Sequence, residues 1–411
     1  MSYTITNSHS QYPKQPSYWI FNCAIASFIL FNWVSGSLIS HFLGGLKGIF
    51  LYLSFGVILG LCIFSIILNF KKSVLNILLL LSLSITSVLI FVNHTDYVVA
   101  SVLLLPIVSK IPFETVVSRI MKGTVIYLAV PFILSLIGIL ENRAFIRHEE
   151  FFGSGIAYSF GFAYYSGFSY PAMGILICQT YLWRNQLKLK KLVILIVYAL
   201  FIFFVSYTRL QILTCLALIL SFYLINKFNI HFGLRIFKWI ALTVYPLLCY
   251  TTYITASEAS LSSELNDFNE INKEYYNGRL ALNEIAFKKY DVLPWGQEIE
   301  STGGKRFEEY FYLDSGYARL ILQEGYVLSC LLMFGYSLIF YRAWKSNNPY
   351  LYSWLLWFSI MNTFNSFLIE IFSNPVILLL FMSSRTIQQS TITCYSKPSS
   401  LTPTIHKHYV Y

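Results

Sequence analysis

Three residues in this sequence have the type and setting to hold an anion and move a proton: Arg209, Arg279 and Asp314. Arg209 lies in SYTRLQIL, between two apolar runs with almost no connection. An arginine at the edge of an apolar region is costly unless it reaches water or meets an anion; the plain alternative is a snorkelling side chain that anchors a helix end. Arg279, in NGRLALNEIAFKKY, opens a helical pattern with Leu282, Ile285 and Ala286 on one face and Lys288 and Lys289 opposite. A cation at a helix N-terminus opposes the dipole. Free amides and a guanidinium together suit an anion there, although arginines are by default simply solvated. Asp314-Ser315 stands where an apolar run resumes. It reads as a helix N-cap, and equally as a carboxylate beside a basic pocket that can orient or deprotonate a hydroxyl.

Lesser candidates surround these. His148, between Arg147 and Glu149, is of the type that serves as a general base, but a surface histidine is the plainer reading. Lys305 and Arg306 follow Gly303-Gly304 and look like a solvated loop tip. Glu370 is a candidate buried carboxylate whose partner the sequence does not name. There is no P-loop, dinucleotide fingerprint or zinc motif, so neither a metal nor a cofactor is expected. The 7 cysteines are scattered without a C-x-x-C, which indicates no disulfide framework.

The elements that must position these residues are membrane spans. Of the 411 residues, 56% are hydrophobic and 12% charged, where a soluble protein carries about a quarter charged. Continuous apolar runs of about 18 or more residues imply spanning helices rather than a barrel. The net charge of +10 fits lysine and arginine held on the cytoplasmic side better than nucleic-acid binding. The expected fold is all-α, a bundle of about 12 transmembrane helices with both termini cytoplasmic.

The spans are expected at Trp19–Ser40, Leu46–Phe70, Val74–Val92, Tyr97–Ser109, Gly123–Leu140, Tyr170–Trp183, Leu192–Tyr207, Leu210–Asn226, Trp239–Ile254, Gly316–Phe340, Leu351–Ile369 and Ser373–Met382. Lys110, Arg119 and Lys122 are expected in a basic inner loop, and Phe151–Ser169 as a weak, partly re-entrant helix. The organisation is then a cytoplasmic segment 1–16, a membrane domain 17–254, a large external loop 255–315 between helices nine and ten, a membrane domain 316–382 and a polar tail 383–411.

In its middle portion the sequence resembles the Wzy-type bacterial polysaccharide polymerases, within the O-antigen ligase and polymerase superfamily. The resemblance rests on GFSYPAMGI at Gly167–Ile175 and on Thr208-Arg209 at a helix junction. It continues through a long loop that opens with Gly278-Arg279 and carries Tyr290 to Gly296. It closes with Asp314, Tyr317, Glu324 and Gly325. It covers roughly Gly153 to Leu331, and the first five spans match in hydropathy only.

The resemblance implies transfer of a growing glycan from undecaprenyl diphosphate to a new lipid-linked oligosaccharide repeat unit. The reaction would take place on the outer face of the bacterial cytoplasmic membrane. Arg209 and Arg279 would hold the diphosphate, and Asp314 would position or activate the acceptor hydroxyl. Trp295, Tyr310, Tyr312 and Tyr317 would line the glycan path, with Lys305, Arg306 and His148 as further substrate contacts. A chain-length regulator and a flippase are the partners it implies. The ligase branch commonly has His at the position of Asp314, which favours a polymerase but leaves the base open.

Three rivals remain. A lipid-linked oligosaccharide flippase or transporter suits the number of spans, but the spans carry few charges and no repeat is evident. A transferase using a polyprenyl monophosphate sugar usually has an acidic pair in its first external loop, and His41–Lys47 has none. The ligase branch is the third.

Overall fold

The computed structural model of the protein describes residues 16–69, 96–109, 111–149, 153–257, 279–299 and 313–382. Among them the chain is mostly helical. The long helices are α1 (Pro16–Gly36), α3 (Lys47–Asn69), α5 (Phe113–Leu136), α6 (Tyr165–Leu182), α7 (Leu189–Ser206), α8 (Arg209–Phe228), α9 (Arg235–Ser257) and α12 (Tyr326–Lys345). Shorter ones are α2 (Ile39–Leu43), α4 (Asp96–Leu104), α10 (Arg279–Lys289), α11 (Gly316–Leu322) and α13 (Pro349–Met361). Among the described residues, six helices are long and apolar enough to cross a membrane. Their outward faces are apolar too: Ile49, Leu53, Ile67, Val197, Phe204 and Leu213 are all exposed. Exposed apolar surface on that scale is compatible with a membrane protein.

Neighbouring helices pack in an order that follows the chain. The first, α1, lies against α3 and α5; α6 lies against α5, α7 and α8; α13 sits on α8, and α9 on α12. Rings fill the centre. Phe113, Tyr181 and Trp354 cluster edge to face, and Tyr245 stacks on Tyr336 with centroids 4.7 Å apart.

One end of the bundle is basic. The Asn226 amide donates to the Arg184 carbonyl, and the Tyr350 hydroxyl donates to Asn226 Oδ1 at 2.7 Å. The Tyr352 hydroxyl reaches the Phe237 carbonyl at 2.9 Å. These bonds tie together the helix ends that carry Lys188, Lys190, Lys191, Lys227, Arg235 and Lys238.

Several boundaries differ from expectation. Helix α5 begins at Phe113, so Arg119 and Lys122 belong to a helix rather than a loop. Pro112 precedes its first turn, and Arg119 Nη1 donates to Asn22 Oδ1 on α1 at 2.9 Å. The expected fourth span is α4 followed by a 3-10 turn at Pro106–Val108, where the proline removes a helical donor.

Residues 144–158 form an antiparallel hairpin, β1 (Ala144–Glu149) and β2 (Gly153–Tyr158), where a loop and a weak helix were expected. Its larger residues pair across the strands, Ala144 with Tyr158 and Ile146 with Ile156. Beyond α13 the expected spans give way to an irregular connection, 362–374, and a 3-10 helix at Pro375–Phe381. The expected third span Val74–Val92 and the tail 383–411 lie outside the described residues, as does most of the loop 255–315.

Candidate functional site

The candidate residues stand at helix starts: Arg209 begins α8, Arg279 begins α10 and Asp314 lies just before α11. Helices α7 and α8 are joined by only Tyr207 and Thr208. Tyr207 takes the left-handed conformation, φ +50°, and Thr208 is extended, which reverses the chain and makes Arg209 the first residue of α8. The Ser206 and Thr208 hydroxyls bond to each other at 2.8 Å across the turn. The hairpin lies over it. A Cβ added at Gly155 of β2 would come within 2.3 Å of the Tyr207 ring, so only glycine permits this approach. His148, opposite Ser154 in the hairpin, is thereby on an element seated at the Arg209 turn.

Arg279 is the first residue of α10. Ala286 of this helix is fully buried against Leu313, Ala318 and Leu322, with Leu282 and Phe287 beside it. Ile285, expected on the apolar face, is instead 49% exposed, while Asn283 is buried and its Oδ1 has no hydrogen-bond partner among the described residues. The buried stripe is therefore Leu282, Asn283 and Ala286, rotated from the expected one because the helix packs on α11 and α9 rather than lying flat on a surface. Glu284 and Lys288 pair on the outer side.

The Pro294-Trp295-Gly296 turn fixes this segment to the rest. Where one span was expected at Gly316–Phe340, the helix is broken at Gln323–Gly325. The turn inserts into the break. Tyr326 N–H donates to the Leu293 carbonyl and Val327 N–H to the Pro294 carbonyl, both at 3.2 Å. In return Gln297 N–H donates to the Gln323 carbonyl at 3.2 Å. Helix ends leave such groups unpaired, and here the loop backbone satisfies them. Both glycines are obligatory. Gly296 and Gly325 have φ of +74° and +87°, and a Cβ on either would lie within 2.3 Å of the other strand of backbone. Trp295 is half-buried in this turn.

Asp314 is half-buried and lies two residues before α11. The cap itself is Ser315, whose hydroxyl accepts from Ala318 N–H at 3.4 Å. Tyr317 is a core residue: it is fully buried and its hydroxyl donates to the Ser359 carbonyl at 2.8 Å. That hydroxyl and ring are committed to packing, so Tyr317 does not line an open glycan path. Tyr310, Tyr312, Lys305 and Arg306 lie outside the described residues.

Sequence reasoning missed the groups beside α11. A cavity of about 40 Å³ is lined by Gly316, Arg319, Glu324, Ser366 and Glu370, with apolar walls that include Leu320 and Leu368. Arg319 Nη1 donates to Ser366 Oγ at 3.2 Å and its Nε to Gln323 Oε1 at 2.6 Å. Glu370 Oε2 accepts from Ser373 Oγ at 3.2 Å. Glu370 lies in the irregular connection, outside the membrane-crossing helices. Burial pushes its carboxyl up to about 7, against the opposing pull of Arg319 and the Ser373 hydrogen bond. The direct partner that the sequence left unnamed for Glu370 is Ser373, and Arg319 acts on it through charge. A signal existed: an arginine within YARLILQEGYVL is an ionisable group inside an apolar run.

The connection that carries Glu370 stays irregular because its backbone is satisfied. Asn362 Oδ1 accepts from Phe367 N–H at 2.9 Å, the Tyr336 hydroxyl donates to the Leu368 carbonyl, and Asn374 Nδ2 donates to the Tyr336 hydroxyl at 2.9 Å. It is tied to the cavity by Gly316 N–H, which donates to the Asn362 carbonyl at 2.9 Å. The Tyr170 hydroxyl of α6 donates to Asn365 Oδ1 at 3.5 Å from the other side.

These parts can hold an anion at two helix N-termini that begin with arginine, and can accept a proton at a shielded carboxylate. Among the described residues no group of three or more His, Cys, Asp or Glu side chains is arranged to hold a metal ion. Set against known proteins, the chain matches no family model, no curated sequence and no solved structure.

Proposed function

We propose that the protein is a membrane polysaccharide polymerase. It transfers a growing glycan from undecaprenyl diphosphate to a new lipid-linked repeat unit. In this reading the chain has about 12 spans, with both termini and the basic rim in the cytoplasm and the 255–315 loop outside. The observation that carries the reading is the seating of α10 on α11 through Ala286, Leu313, Ala318 and Leu322. That contact packs the helix that begins with Arg279 against the one that follows Asp314 and bears Arg319. The site so assembled lies away from the basic rim, where an external lipid diphosphate would be met.

Mechanistically, the donor leaves as a diphosphate, and charge builds on its bridging oxygen in the transition state. Arg209 and Arg279 stabilise that charge through paired N–H donors. The acceptor hydroxyl is oriented by Asp314. Half-buried Trp295 offers a stacking surface for the glycan.

The test is genetic and chemical. In a host deleted for the gene, complementation with the wild type restores long surface glycans. Arg279→Ala at matched membrane levels leaves single repeat units, with a rate loss on the order of 100-fold. Undiminished long chains in that strain would mean that Arg279 is a solvated loop residue. Long chains that accumulate on the lipid carrier would favour the ligase branch.

A flippase or transporter is the second reading. The α11–α12 break favours it, since discontinuous helices with buried charges beside them also build transport sites. Lipid-linked units stranded on the inner leaflet of the deletion strain would decide for transport.

A further inference from the structure

Glycosyl transfer to a hydroxyl needs somewhere for the hydroxyl's proton to go, and the two arginines cannot take it. Asp314, half-buried before α11, is one candidate. The cavity beside α11 offers another. Its lining includes both Gly316, two residues beyond Asp314, and Glu370, with Leu320, Leu368 and Ile369 as apolar wall. Its volume of about 40 Å³ is room for a hydroxyl and one or two waters, since a water needs roughly 10–15 Å³ on this measure. A sugar ring does not fit.

We propose that Glu370 is the proton acceptor for the acceptor hydroxyl, with Ser373 bonded to its carboxylate and Arg319 acting on it through charge from the same cavity lining. This rests on the polymerase reading. In the step, the acceptor oxygen bonds to the donor's anomeric carbon. The bond from that carbon to the diphosphate oxygen breaks, and its electron pair leaves on the diphosphate. The hydroxyl proton passes to a Glu370 oxygen and is afterwards released to water.

The surroundings suit the role. From α11 the cavity receives Arg319, and from the α11–α12 break Glu324, which is 3% exposed. The connection itself supplies Ser366 and Ser373. Tyr127 of α5 lies within electrostatic range of Glu370, and α4 contributes only the apolar Val98. A carboxylate that titrates near neutral pH is matched to proton abstraction at the working pH.

The experiment uses the full-length protein in lipid nanodiscs, with lipid-linked repeat units isolated from the host as substrate. Initial rates are measured between pH 5 and 9. The wild-type rate is expected to climb with pH through about 7. Glu370→Gln should lower kcat on the order of 100-fold with KM within about twofold, and Glu370→Asp should recover part of the rate. Arg319→Gln removes the cation that stabilises the carboxylate and should move the acidic limb upward by about one pH unit. That variant keeps the test open should the Glu370 variants fail to fold. A Glu370→Gln enzyme within about threefold of the wild type, or an acidic limb unmoved in Arg319→Gln, overturns the assignment. If the wild type itself makes no polymer from these units while the protein is monodisperse, it is the polymerase reading that fails.

Discussion

Arg184 and Glu370 are two ionisable groups held deep in the same chain, and their surroundings separate a structural role from a chemical one. The Arg184 side chain is only 4% exposed. It pairs with Glu114 at 2.6 Å, donates to the Tyr181 carbonyl at 2.9 Å and lies over the Tyr181 ring at 4.3 Å. Its charge is spent on joining α5 to α6. Replacing it by alanine should lower stability by about 2 kcal/mol, below the usual cost of breaking a buried pair because the Glu114 side chain remains 31% exposed and can rehydrate. Thermal unfolding in nanodiscs should show a lower midpoint, and an unchanged midpoint would mean that the pair contributes nothing net. Glu370 is tuned rather than neutralised. Its carboxyl is raised from 4.5 to about 7, so the folded state binds the proton more tightly than the unfolded chain. The stability this contributes is fully present below pH 4.5 and is lost as pH rises through 7. Melting the wild type across that range should show the decline, and Glu370→Gln should flatten it. At this scale Arg209, Arg279 and Asp314 stand out in the sequence as polar groups at the edges of apolar runs. Arg319 was not singled out, since its partners Ser366 and Gln323 are brought together only by the turn of 362–374 and by one helical turn.

Among the elements, the helix break at Gln323–Gly325 governs the geometry of the candidate site. It lets α11 and α12 take separate directions, and the Pro294–Gly296 turn occupies the gap. The loop helix α10 is thereby held to the membrane bundle by backbone hydrogen bonds as well as by its buried stripe. Gly325→Ala should cost about 2–3 kcal/mol or more, because its φ of +87° with ψ of 158° is open essentially to glycine alone and the added Cβ would lie 2.3 Å from Gly296 N. Polymer length should fall with it even at matched membrane levels; a variant of native stability and activity would show that the turn and the break do not depend on each other. The break was hidden in the sequence because apolar residues run on both sides of it and hydropathy does not register backbone direction. The two glycines mark it only when they are read together, 29 positions apart. The hairpin was hidden for a similar reason: β2 reads GSGIAY, whose small residues give no strand pattern and are explained by the Tyr207 ring beneath them. Helices α7, α8 and α9 were legible to within a few residues at either end, since lysine and arginine punctuate continuous apolar runs there.

The whole molecule has two unlike ends, and the functional reading depends on which faces the cytoplasm. Hydrogen bonds collect Arg184, Asn226, Tyr350 and the neighbouring lysines at one end. The Arg209 turn, the α10–α11 seat and the Glu370 cavity collect at the other. A lipid diphosphate presented outside can be used only if the second end faces out. Single cysteines placed at Lys190 and at Asp291, both exposed, report this directly. The background must lack native cysteines, because Cys330 is itself exposed. A membrane-impermeant maleimide on intact cells should label Asp291→Cys, and should reach Lys190→Cys only after permeabilisation. The opposite pattern would put both arginines and Glu370 on the side where lipid-linked units are made rather than joined. Neither the polymerase reading nor the Glu370 assignment survives that result, because the donor, the acceptor and the base would then be on different sides of the membrane.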